Sequence, residues 1–191
     1  MPTVNYFKEG KVKGRVTLSV DNGGDSAVYS IRHALYSELG SPVRGSSLTD
    51  EELEVIICAD REYRCMKKAL AILAYADNNK RALYMKLMRA GFSSAEARSA
   101  TEECLRLGYI NEQSQLERLV IKEANTSLKG RAYIMAKLSS HGYNSSDISS
   151  TIDSLVESGE VDFVGNFRTL CQRCGASSDE ERKKLKYKNG F

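Results

Sequence analysis

One stretch of this chain is written twice. Lys86-Leu87 followed by Gly91-Phe92 returns 51 residues later as Lys137-Leu138 followed by Gly142-Tyr143. The register holds well beyond those positions: Glu96 falls on Asp147, Glu102 on Asp153, Leu105 on Val156, Gly108 on Gly159, Ile110-Asn111 on Val161-Asp162 and Leu116 on Phe167. A third copy begins at Asp162 with Phe163, Phe167 and Leu170, and reaches Gly190-Phe191 at a spacing shortened to 48. A fixed period of this size means stacked supersecondary units, each unable to bury its apolar face alone. Every unit reads helix, turn, helix, Gly-aromatic pair, cap, helix. The glycine supplies a left-handed C-cap and the aromatic folds back on the helix it ends, so the repeated pair has a structural reason. The expected division is 1–48, a β-hairpin and short helix; 49–110, a first three-helix repeat with its leading helix; 111–161, a second; and 162–191, a truncated third.

Beyond residue 48 the local signals are helical. Thr49-Asp50-Glu51-Glu52 is a capping box opening a helix with Leu53, Ile56 and Ile57. A second helical pattern, Cys65 to Ala76, stops at Asp77-Asn78-Asn79, where either asparagine can cap the next helix. That helix runs from Lys80 to Ala90, and Ser93-Ser94-Ala95-Glu96 caps the one after it. Ser177-Ser178-Asp179-Glu180 is the corresponding signal in the third unit. The N-terminal part differs. Residues 11–20 alternate, with Val12, Val16, Leu18 and Val20 on one face, which predicts a half-buried strand. Asn22-Gly23-Gly24-Asp25 suits a tight turn into a second strand at 26–30, and a short helix is expected from Ile31 to Leu39.

Composition narrows the function classes. In 191 residues, 41% are apolar and 28% charged, enough apolar content for packed cores and too little low complexity for long disorder. Nothing near Met1 has the pattern of a signal peptide, and no apolar run approaches a membrane span, which predicts a cytoplasmic chain. Five scattered cysteines, Cys58, Cys65, Cys104, Cys171 and Cys174, fit reduced thiols. Cys171-Gln172-Arg173-Cys174 lacks the further ligands a zinc site needs, so both cysteines are expected as buried packing residues. Two histidines, no tryptophan and no phosphate-binding or metalloprotease motif leave catalysis without support. The expectation is a protein with no enzymatic activity and no cofactor.

At this point a resemblance becomes readable. Ala69-Leu70-Ala71-Ile72-Leu73, then Lys80 through Gly91-Phe92, then Leu105-Arg106-Leu107-Gly108-Tyr109-Ile110-Asn111-Glu112 resembles the first repeat of the RecX family of recombinase regulators. Leu128-Lys129-Gly130-Arg131 through Lys137-Leu138 and His141-Gly142-Tyr143 is similar to the second, and Asp179 to Phe191 to the third. The likeness covers roughly residues 11–191. It implies a mainly α fold of tandem three-helix repeats in an elongated, curved molecule with a small N-terminal β segment. It also implies a monomer that binds the RecA filament on single-stranded DNA and restrains its ATPase and strand exchange, with DNA contact weak or indirect.

The residues themselves offer a candidate surface. Lys67, Lys68, Lys80, Arg81, Lys86 and Arg89 form a basic cluster in the first repeat; Lys129, Arg131 and Lys137 occupy the second, and Arg182, Lys183 and Lys184 the third. Clusters at similar places in stacked units would line up as a stripe for an acidic recombinase surface or for DNA. A direct DNA-binding protein using helix-turn-helix-like pairs is the alternative. Tyr84, Tyr109, Tyr133 and Tyr143 could stack on bases, but their places in the repeat favour packing. The net charge of +3 permits either reading and decides neither.

Overall fold

The computed structural model describes residues 1–191. It is mainly helical, with three strands, β1 (Thr3–Glu9), β2 (Arg15–Asn22) and β3 (Asp25–Arg32), before nine helices: α1 (His33–Glu38), α2 (Asp50–Tyr75), α3 (Lys80–Arg89), α4 (Ser94–Arg106), α5 (Glu112–Ile121), α6 (Arg131–Ser140), α7 (Ser145–Glu157), α8 (Phe163–Cys174) and α9 (Asp179–Asn189). A π-helical turn, Lys122–Thr126, extends α5. The starts of α3, α4 and α5 and those of α6, α7 and α8 are each 51 residues apart, and α9 starts 48 after α6. By packing, the chain forms two compact units: Met1–Ile72 with Leu87–Glu103, and Leu73–Lys86 with Cys104–Phe191.

In the first unit the expected hairpin is present, β2 and β3 pairing from Asn22↔Asp25 across Gly23-Gly24. A further strand, β1, adds to the other side of β2, giving the antiparallel order β1-β2-β3. Val12 is exposed before β2 begins, so the buried alternation is carried by Val16, Leu18 and Val20. These pack with Val4, Ile31, Tyr36 and Leu48 against Leu53 and Ile56 of α2. The two helical patterns expected between Thr49 and Ala76 are one helix of 26 residues. No glycine or proline interrupts Cys58 to Arg64, so nothing stops propagation. Asp60, buried in that stretch, accepts the Ser30 amide at 2.8 Å, while Arg64 donates to the Val28 carbonyl at 3.2 Å. Side chains of α2 thus occupy the outer edge of β3, which would otherwise be open to another strand.

The capping signals perform as the sequence suggests. Thr49 and Glu52, and Ser93 and Glu96, bond reciprocally. The third box is one residue later than expected, between Ser178 and Glu181, because Glu181 lies at the position from which a side chain reaches the cap amide. The second unit buries Leu116, Val120, Ala124, Ile134, Leu138, Ile148, Ile152, Leu155 and Val161 among α5, α6 and α7. Phe191 packs on Phe163 and Phe167 of α8, with ring centroids 6.4 and 5.1 Å away. Cys65, Cys104 and Cys171 are buried as expected, but Cys174 and Cys58 are exposed. Cys174 is the last residue of α8, at the end of the helix where the chain turns off through the left-handed Gly175 cap.

Candidate functional site

The basic residues fall into two physical classes. In the first class the charge is used inside the protein. Lys137 Nζ lies 2.8 Å from Glu123 Oε1, whose side chain is buried, and the pairing holds the lysine above its ordinary range. Arg131 forks onto Asp153 and donates to Ser149 Oγ at 2.8 Å; the contact lowers the carboxyl and raises the guanidinium. Lys129 is half-buried, bonded to Asn189 Oδ1 at 2.7 Å and poised 4.8 Å above the Tyr133 ring. The whole second-repeat cluster therefore ties helices together.

The second class stays in solvent. Lys67 and Lys68 on α2, Lys80, Arg81 and Arg89 on α3, and Lys183 and Lys184 on α9 are exposed and form no ion pair. Arg182 is exposed as well, its Nε donating to the Ala176 carbonyl at 3.4 Å. Lys86 is exposed but tethered, Nζ to Asn78 Oδ1 at 2.5 Å. Lys80 and Arg81 sit at the positive end of α3, where cations are disfavoured. Glu112 relieves this by accepting the Lys80 backbone amide at 2.7 Å, leaving the Lys80 side chain free. Lys67, Lys68 and Arg89 belong to the first compact unit, and the remaining basic residues named here to the second.

What holds the helices in register is polar, and the sequence did not display it. Asn79 caps α3 through Oδ1, accepting the Ala82 amide at 2.8 Å, and its Nδ2 donates to the His141 carbonyl at 3.0 Å. Gln115 donates to the Asn78 carbonyl and accepts from the Tyr143 hydroxyl at 2.9 Å; burial pushes that phenol up. The start of α3 lies on the Gly142 cap of α6, where an added Cβ would meet the Arg81 stem. The start of α6 repeats this contact on α9: Gly130 and Ala132 donate to the Asn189 and Gly190 carbonyls at 2.8 and 3.0 Å. Of the tyrosines, Tyr143 serves this seam, Tyr133 receives Lys129, and Tyr109 is exposed. No group of His, Cys, Asp and Glu is placed to hold a metal ion, and no helix is long and apolar enough to cross a membrane.

No protein-family model matches the chain. A regulatory protein RecX of Stenotrophomonas maltophilia strain K279a is 29% identical over 113 residues, covering 59% of this chain and 66% of that protein. A regulatory protein RecX of Lactobacillus johnsonii is 23% identical over 164 residues, covering 86% of this chain and 58% of its own length. The chain thus spans less than two thirds of either relative. In fold, a crystal structure of regulatory protein RecX matches 96% of the chain and 89% of its own, with a TM-score of 0.71 at 18% identity. RecX from Lactobacillus salivarius matches 69% and 86%, with a TM-score of 0.58 at 21% identity. The chain is therefore similar in sequence to regulatory proteins named RecX, and it shares the fold of their crystal structures.

Proposed function

We propose that this chain is a non-enzymatic regulator of the RecA recombinase that binds the RecA filament on single-stranded DNA and lowers its ATPase and strand-exchange activity. The supporting observation is the match to regulatory proteins named RecX, in sequence over most of the chain and in fold over nearly all of it. The exposed, unpaired cations Lys67, Lys68, Lys80, Arg81, Arg89, Lys183 and Lys184 are the contact residues in this reading. Division into repeats at 49–110, 111–161 and 162–191 gives each repeat its own basic cluster, although that of the second is consumed internally. Several weak contacts along one filament combine through effective concentration into usable affinity.

The test is the ATPase rate of a RecA recombinase on single-stranded DNA as this chain is added up to equimolar ratio. The expected result is a dose-dependent fall that is weakened when Lys80, Arg81 and Arg89 are replaced together by Glu. No fall in rate, together with tight salt-sensitive binding to naked DNA, would replace this reading with a direct DNA-binding protein.

A further inference from the structure

The chain is basic overall, yet one groove on its first unit is acidic. Helix α2 presents Glu54, Val55, Ala59 and Glu62 at helical spacing, and with Leu35 and Glu38 of α1 they line a surface groove of about 580 Å³. Its floor is apolar and open: Val55 is 47% exposed. Arg32 is the one cation on its wall, and none of Glu38, Glu54 and Glu62 is in an ion pair.

Helix α9 carries the converse pattern. Lys183 and Tyr187, and Lys184 and Lys188, are pairs four residues apart on one face. Tyr187 at its centre is 90% exposed, and the three lysines form no ion pair. An aromatic flanked by cations complements an apolar floor flanked by carboxylates, and neither surface is neutralised within one chain.

We propose that the groove is a docking site for the α9 face of a second copy of this chain, Tyr187 seating on Val55 and Ala59 while the lysines meet Glu38, Glu54 and Glu62. The two surfaces differ, so the contact is head-to-tail and can propagate beyond two copies. Burial of the tyrosine supplies attraction, and the charges set orientation and salt sensitivity. The sequence-based expectation of a monomer then holds only for the dilute chain. This inference is independent of the recombinase reading.

Sedimentation velocity of the full chain over a concentration series, at low and high salt, tests it. The wild type is expected to gain mass with concentration at low salt and to return to monomer at high salt. Glu54→Lys with Glu62→Lys, and separately Lys183→Glu with Lys184→Glu and Lys188→Glu, should each weaken association by at least about tenfold. An equimolar mixture of the two variants should recover it, because each then offers what the other lacks. Circular dichroism checks that both variants are folded, and Tyr187→Ala should weaken association without any change of charge. A wild type that stays monomeric at low salt overturns the proposal, even if a free lysine-rich peptide binds the groove. Association untouched by both charge variants, by Tyr187→Ala, or not restored on mixing overturns it equally.

Discussion

Helices α3 and α6 have the same length, begin 51 residues apart, start with a cation and carry a lysine six positions later. In α6 both charges are absorbed, Arg131 by Asp153 and Lys137 by buried Glu123. In α3 the Lys80 side chain has no ion pair, and Lys86 reaches only the neutral amide of Asn78. A repeated residue therefore need not repeat its role. What differs is the neighbour: position 123 holds a carboxylate, whereas its counterpart 51 residues earlier is Ile72. A lysine beside a buried carboxylate becomes part of the core's electrostatics, while a lysine beside an amide keeps its charge available to a partner.

The glycine caps test the comparison most severely. A Cβ at Gly190 would land on the Tyr133 backbone at a φ of +73°, so Gly190→Ala should cost about 3 kcal/mol in urea unfolding. The same change at Gly142 meets only the flexible Arg81 stem, and about 1 kcal/mol is expected. Equal losses would mean that the two seams are not built as described. Next, Lys137→Met strands the Glu123 carboxylate and should cost about 2 kcal/mol, against less than about 1 kcal/mol for Lys86→Met.

A cross-helix ion pair in the first unit gives a smaller effect with a pH signature. Arg61, bonded at 2.6 Å, holds the Glu96 carboxyl down at about 2, and the same carboxylate caps α4. Because the folded value lies below the unfolded one, the stabilisation is complete above the unfolded value of 4.5 and is lost as pH falls toward 2. Glu96→Ala should cost about 1 kcal/mol near neutrality, and the difference from wild type should close in acid unfolding curves. The smallest change in stability, within about 0.5 kcal/mol, is expected for Lys80→Glu with Arg89→Glu, since neither side chain holds an ion pair. In a thermal melt this variant should overlay the wild type, while the inhibition of recombinase ATPase proposed above should weaken.

Helix starts, glycine stops and the period of the repeat were legible because each is a local chemical requirement. Thr49 with Glu52 and Ser93 with Glu96 satisfy amides within a few residues, so the chain carries both partners side by side. Asn79 was readable as a cap, but not as the donor to His141, because that carbonyl is 62 residues away. The same distance hid Gln115, Glu123 and Asn189: polar residues near helix ends look like solvated surface until packing closes over them. The basic clusters were visible as composition, yet which cations remain free depended on carboxylates brought in from other helices. The continuity of α2 was missed for the opposite reason. Its apolar face changes from Ile56 to Cys65 through polar residues, with Asp60 buried because β3 supplies an amide and Arg64 an ion-pair partner at 2.7 Å.

The Asn189-Gly190 seam also sets how the protein ages. Asparagine before glycine is the dipeptide most prone to deamidate, through attack of the glycine nitrogen on the side-chain amide. The chain has two such pairs. Asn22-Gly23 lies exposed in the hairpin turn. Asn189 is buried, with Nδ2 given to the Leu185 carbonyl and Oδ1 held by Lys129, while the Gly190 nitrogen donates to the Tyr187 carbonyl. On prolonged incubation Asn22 should convert first by peptide mass mapping, and Asn189 only as fast as the last helix opens. Damage at the second site is thus a slow clock for local unfolding, one that reads the seam without any mutation.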